Sequence, residues 1–300
     1  MRRFYIDFLG KRYILLGISA ALMTISIAAI LFRGLAFGIE FQGGTVVTFT
    51  EAPGISAEDI REAFADAGVE GAQVQTTEGE GYIVRTSEDD PDVANEAYQR
   101  VVEQLGLETG AADVTTIGPG WGANITDAAL LALGMSIAAI LLYTALRFEY
   151  KMSVTAVIAL VHDLIFTLGV YALVGREVTP NTIAALLTIM GYSIYDTIVV
   201  FHRIRENSQR LVKQSFMSMA NDSINQVIVR SLNTSLTSLI PPLVMLFFGG
   251  ETLKDFAFAL VIGLVVGAYS SVGVASPIYS MWKEREPKFQ ALKKKYEQAS

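Results

Sequence analysis

Cysteine is absent from the 300 residues, histidine occurs twice, and charged side chains make up only 18% of the chain, against about 25% in an ordinary soluble domain. Without cysteine there is no disulfide scaffold and no thiolate metal site, and two histidines are too few for a His-rich metal centre. A basic balance is missing too. The 23 Lys and Arg face 30 Asp and Glu, a formal charge of -7, and no basic aromatic run offsets it, which speaks against a nucleic-acid partner. Apolar residues are in excess at 52%, and they are gathered into runs.

The first run, Tyr13 to Phe32, is 20 residues without a charge, long enough to cross about 30 Å of hydrocarbon. A signal peptide has an apolar core of only about 7–15 residues followed by a small-x-small cleavage site, so this run reads as an uncleaved first span. Five more spans are expected at about Ala128–Ala145, Ser153–Val174, Thr182–Phe201, Arg230–Phe248 and Phe256–Met281. Six crossings leave both termini on one face. With the termini and the links at 146–151 and 203–230 inside, 17 Lys/Arg lie inside and 6 outside, which places both termini in the cytoplasm. The expected organisation is a cytoplasmic N-terminus and first span (1–33), an extracytoplasmic domain (34–127), and a bundle of five spans (128–282). The bundle includes a cytoplasmic segment at about 202–229, and a cytoplasmic tail (283–300) follows it.

The outer segment is strongly acidic, with 18 Asp/Glu against three Arg, and reads as a solvated folded domain. Alternation predicts strands at Thr45–Phe49, Ala72–Thr76, Tyr82–Thr86 and Asp113–Ile117. Amphipathic spacing predicts helices at Ala57–Ala67 and Asp90–Leu105, the second capped by Ser87 or Asp89. The order βαββαβ is the split βαβ, or ferredoxin-like, arrangement. Gly118-Pro119-Gly120-Trp121-Gly122 reads as a hinge-like turn back into the membrane, with Trp121 at headgroup level.

Charged groups inside a bilayer cost about 2.5–3.5 kcal/mol at a span centre, so each is a candidate functional residue. His162 and Asp163 lie midway along the third span, Asp196 near the inner end of the fourth, and Arg230 at the start of the fifth. Asp196 and Arg230 are therefore expected at similar depth and able to pair. Thr188, Tyr192 and Asp196 repeat at i, i+4 and are expected to face the bundle interior. His162 and Asp163, adjacent on one helix, are not expected to share a face, so at least one points at a neighbouring helix or makes another polar contact. The plainer reading of each is an ion pair that fixes packing, or an edge arginine that snorkels to the headgroups.

Gly263, Gly267, Ser271 and Ala275 form a small-residue ridge suited to close packing, with a partner as one possible counterface. Pro241-Pro242 is expected to kink or break the fifth span. Residues 203–231 read as a helix lying along the inner surface, and Lys293-Lys294-Lys295 as a solvated end or an anionic-lipid contact.

Several motifs then carry a resemblance. Gly38-Ile39-Glu40-Phe41-Gln42-Gly43-Gly44-Thr45 resembles the G-hydrophobic-D-F-x-G-G-T signature of the SecF protein-export family. The Gly118–Gly122 turn resembles its G-P-x-x-G, and Arg147-Phe148-Glu149 its R-F-E. Ala159-Leu160-Val161-His162-Asp163 matches A-L-x-H-D. Gly191-Tyr192-Ser193-Ile194-Tyr195-Asp196-Thr197-Ile198-Val199-Val200, followed by Arg203-Ile204-Arg205-Glu206-Asn207, resembles the longest family motif, G-Y-S-x-N-D-[ST]-I-V-V…R-I-R-E-N. Arg230-Ser231-Leu232-Asn233-Thr234-Ser235 and Gly263…Tyr269-Ser270-Ser271 complete the set. Tyr195 stands where Asn is usual, His202 where Asp is usual, and Glu40 in place of Asp.

The resemblance implies one half of a resistance-nodulation-division (RND) type assembly in the bacterial inner membrane. Its partner would be a SecD-like subunit, working with the SecYEG channel, YajC as a further candidate, translocating preproteins and the surrounding membrane lipids. Protons would be the coupling ion, with no other cofactor and no catalysis. Asp196 and Arg230 fall on the family's functional aspartate and arginine; Asp163, with His162, is the candidate for a second proton site. Two rival classes stay open on the residues alone. One is an intramembrane aspartyl protease using Asp163 and Tyr195-Asp196 as a shared-proton pair. The other is half of an RND-type small-solute exporter.

Overall fold

In the computed structural model, which describes residues 5–50, 52, 54–76, 81–107, 112–211 and 214–297, the first apolar run becomes helix α1 (Arg12–Arg33). A two-residue strand β1 (Ala36–Phe37) and a one-turn helix α2 (Ile39–Gln42) follow. Next come β2 (Gly44–Phe49), α3 (Ala57–Asp66), β3 (Gln73–Thr76), β4 (Tyr82–Thr86), α4 (Pro91–Leu105) and β5 (Ala112–Ile117). The remaining elements are α5 (Pro119–Arg147), α6 (Tyr150–Val174), β6 (Glu177–Val178), α7 (Pro180–Gln209), α8 (Phe216–Phe248) and α9 (Glu251–Ser270). A π-helical turn (Ser271–Ala275) leads into α10 (Ser276–Glu284), and α11 (Pro287–Glu297) ends the described chain. Among the described residues, six helical stretches are long and apolar enough to cross a membrane.

The chain divides into two compact units, residues 37–130 and residues 1–36 with 131–300. In the smaller unit the four strands form one sheet in the order β3-β4-β2-β5, every neighbouring pair antiparallel. Alternation along β2 sends Val47 and Phe49 inward, where they meet Ile60 and Phe64 of α3 and Val101 of α4. Ser56 and Asp59 make a reciprocal capping box at the start of α3, satisfying two backbone donors that a helix start leaves open. The cap of α4 is Asp90, not Ser87 or Asp89: its carboxylate accepts from the Asp92 and Val93 amides. Pro91, which has no N–H to lose, fits the first helical position and fixes the cap one residue earlier.

Gly43 and Gly44 join α2 to β2 with φ of 78° and 119°, and a β-carbon at Gly44 would collide with the Thr86 carbonyl of the paired strand. The doubled glycine is thus a steric requirement of the entry into β2, a central strand. Gly122 is similar in kind, since a β-carbon there would run into the Phe41 carbonyl. The expected turn at 118–122 is already helical from Pro119, while Trp121 is exposed.

In the larger unit, α1 packs on α6, and α7 packs on α8 and α9. The small-residue ridge meets α7 of the same chain, not a partner: a β-carbon at Gly263 would strike Ile189, and one at Gly267 would come within 3.1 Å of Ser193 Cβ. The segment 203–231 is not a surface helix. Its first part continues α7 to Gln209, and its second is the start of α8, which Ser215 caps through the Ser218 amide. Pro241 and Pro242 lie inside α8 without ending it; lacking N–H groups, they leave the Thr237 and Ser238 carbonyls without helical donors.

Asn221 Oδ1 accepts from the Phe8 and Leu9 amides and Asn225 Oδ1 from Ile6, tying the N-terminal segment to α8. The tail is helical and docked through Phe289, whose ring lies 4.7 Å from that of Phe216.

Candidate functional site

Asp163 is fully buried on α6. One carboxylate oxygen lies 3.0 Å from His162 Nδ1, and the other accepts from Ser193 of α7 at 2.6 Å and Ser270 of α9 at 2.8 Å. Asp163 thus reaches two neighbouring helices, as expected of at least one of the pair, but the adjacent His162 and Asp163 side chains also meet each other, against the expectation that they share no face. His162 Nε2 is buried and has no hydrogen-bond partner among the described residues.

Asp196 sits one turn further along α7 than Ser193 and is 7% exposed. Ser231 donates to one of its oxygens at 3.2 Å and Ser235 to the other at 3.0 Å, two hydroxyls at i, i+4 on α8. Arg230 does not pair with it. The guanidinium donates instead to the Tyr195 hydroxyl at 3.3 Å, because Arg230 and Ser231 point to different sides of α8. Arg230 is thus on the exposed face while its neighbour reaches the carboxylate. Of the stripe expected to face inward, Asp196 is buried but Tyr192 is 47% exposed, and the neighbouring Tyr195 is 45% exposed, so the stripe turns partly out. The buried stripe of α7 runs instead through Ile189, Ser193, Asp196 and Thr197.

A cavity of about 20 Å³ beside Asp196 is lined by Tyr192, Tyr195, Thr234, Ser235 and Gly267, room for one water. Thr197 and Ser271 exchange a 2.9 Å hydrogen bond, so consecutive residues Ser270 and Ser271 both serve the α6–α7 side. The π-helical turn begins there, a local winding often found at functional sites. Asp163 and Asp196 share no hydrogen bond, and the paired-carboxyl geometry of an aspartyl protease is not formed. No cluster of metal-ligating side chains occurs among the described residues.

The four charged residues picked from sequence thus fall into two adjacent groups, His162 with Asp163 and Arg230 beside Asp196. Gly263 and Gly267 place α9 against them. Glu40, Gly43, Gly44, Gly118, Pro119 and Gly122 belong to the other unit. Gly191 has open space where a β-carbon would stand, so no packing constraint explains it. Sequence reasoning missed the serines that hold both carboxyls; the i, i+4 repeat of Ser231 and Ser235 was the readable signal.

The chain is similar to known protein-export proteins over most of its length. The family model "Protein export membrane protein SecD/SecF, C-terminal" matches residues 97–285, and the "SecD/SecF GG Motif" matches residues 28–50. The protein translocase subunit SecF of Streptomyces coelicolor is 37% identical over 96% of this chain and 80% of its own length. That of Thermodesulfovibrio yellowstonii is 36% identical over 91% and 93%. The crystal structure of Thermus thermophilus SecDF, described as a translocon-associated membrane protein, superposes with a TM-score of 0.86 at 34% identity. It covers 94% of this chain, and this chain spans 39% of that longer one.

Proposed function

This chain belongs to the SecF family of protein translocase subunits, membrane proteins of bacterial protein export, and on that premise we propose how it works. It pairs with a SecD-like subunit, as the fused SecDF relatives suggest, and turns the inner-membrane proton gradient into late movement of preproteins through SecYEG, with YajC as a further associate. The charge split of 17 to 6 supports cytoplasmic termini. A cysteine at Glu58 then reacts with an impermeant maleimide outside intact spheroplasts, and one at Gln209 reacts only after the membrane is opened.

The observation that carries the reading is Asp196: a carboxyl in a membrane span, held by two neutral hydroxyls, with room for a water and a guanidinium one side chain away. A nearby guanidinium favours the ionised form of a carboxyl, and its departure favours the protonated form. Arg230 keeps its own proton, so it acts only by moving, between the Tyr195 hydroxyl and Asp196. One charge crossing about 150 mV is worth about 3.5 kcal/mol, short of the roughly 5.5 kcal/mol that swings a two-state element from 1:99 to 99:1. We assign the remainder to the pH difference. Asp163, bonded to α7 and α9, suits a fixed joint better than a second carrier.

The test is gradient-dependent completion of preprotein export into inverted vesicles, with the ATP-driven step held constant. Asp196→Asn and Arg230→Met each abolish the gradient-dependent part while a tagged chain still recovers its SecD-like partner. Normal gradient dependence in assembled Asp196→Asn ends the proposal.

A further inference from the structure

Arg12 opens the first span and Glu284 closes the sixth, and six crossings bring both to the same membrane face. Between them, α8 and α11 leave a cleft of about 730 Å³ lined by Arg12, Glu284, Arg285, Lys293 and Lys294. Glu284 and Lys293 pair at 2.9 Å and cancel, which leaves three positive charges. No carboxylate among the described residues forms an ion pair with Arg12, Arg285 or Lys294. Arg12 Nε and Glu284 Oε1 are buried without a hydrogen-bond partner, so two side chains of the lining retain unused capacity, one as donor and one as acceptor.

The level of the cleft is marked by aromatic residues. Tyr13 is largely exposed beneath the Arg12 guanidinium, 4.7 Å from its ring centre, and Tyr150 and Trp282 stack edge-on at 5.7 Å near the inner ends of their helices. Such rings settle at the headgroup layer. The cleft therefore opens where phosphodiesters are densest, and basic pockets between span ends on that side suit anionic headgroups.

We propose that this cleft is a binding site for the headgroup of an anionic glycerophospholipid of the phosphatidylglycerol type. The phosphodiester meets Arg12, Arg285 and Lys294, and a headgroup hydroxyl donates to Glu284. A zwitterionic lipid satisfies the carboxylate but leaves the excess positive charge unmatched. The bound lipid bridges α1, α10 and α11.

Native mass spectrometry of the detergent-purified full chain, titrated with phosphatidylglycerol, phosphatidylethanolamine or inorganic phosphate, tests this. Phosphatidylglycerol binds selectively, at one site, and inorganic phosphate does not displace it. Arg285→Gln with Lys294→Gln, both exposed positions, weakens binding about 30-fold, at about fivefold per surface charge. The equal charge loss of Lys288→Gln with Lys295→Gln, outside the cleft, changes it less than about threefold. Equal binding of the two lipids, an equal loss in the control variant, or displacement by phosphate overturns the assignment.

Discussion

Asp163 and Asp196 lie in neighbouring spans among apolar side chains, yet they are held in different ways. Asp163 has no exposed surface, and its oxygens are tied to three side chains on α6, α7 and α9. Asp196 takes both its hydrogen bonds from one helix, beside a water-sized cavity, with Arg230 held on the hydroxyl of the adjacent Tyr195. A carboxyl bonded across several helices works as a joint. One bonded to a single helix, with space next to it, is free to change partners.

The largest expected effect breaks the joint. Asp163→Leu removes the acceptor shared by His162, Ser193 and Ser270, of which Ser270 keeps the Gly267 carbonyl, and lowers stability by about 3–5 kcal/mol, read by thermal unfolding of the purified chain. Asp196→Asn, whose amide oxygen still accepts from a serine, shifts stability by less than about 1 kcal/mol. Equal losses in the two variants erase the distinction.

The ridge that brings Ser270 to Asp163 comes next. Gly263→Val drives a side chain into Ile189 and costs about 1–3 kcal/mol by overpacking, whereas Gly191→Ala, with open space around it, is neutral in the same melt. Smaller still, Ser193→Ala and Ser235→Ala each remove one hydrogen bond, about 1 kcal/mol. Only Ser235→Ala alters gradient-dependent export.

Glu286, just past the end of α10, sharpens the contrast with a carboxylate that does have cations. Burial pushes its carboxyl up, but Lys151 at 2.7 Å and Lys283 at 3.0 Å outweigh that and hold it below the usual glutamate range. Its contribution to stability is therefore complete above the ordinary value near 4.5 and is lost as pH falls through the lowered one. Unfolding temperature against pH shows a small acid-side loss that Glu286→Gln removes.

Much of this was legible in the chain. Six apolar runs located the six spanning helices, because the cost of burying charge in hydrocarbon leaves few alternatives, although α5, α7 and α8 extend 9, 8 and 14 residues beyond the expected bounds. Intramembrane charge singled out Asp163, Asp196, His162 and Arg230 for the same reason. Helix continuity was harder. Residues 216–229 are too polar to count as span, yet nothing in them breaks a helix, so α8 begins 14 residues before Arg230. The direction of each side chain was not readable either. Whether Arg230 or Ser231 meets Asp196 depends on the rotation of α8 against α7, which no single-helix pattern contains.

The most direct measurement of the central claim is the pH-difference infrared spectrum of the buried carboxyl stretch in the purified, lipid-reconstituted chain. The account predicts one buried carboxyl band that titrates over the pH range the membrane gradient spans, lost in Asp196→Asn and retained in Asp163→Asn. A band that survives Asp196→Asn and disappears with Asp163→Asn contradicts it, and makes the joint the carrier and the switch the joint.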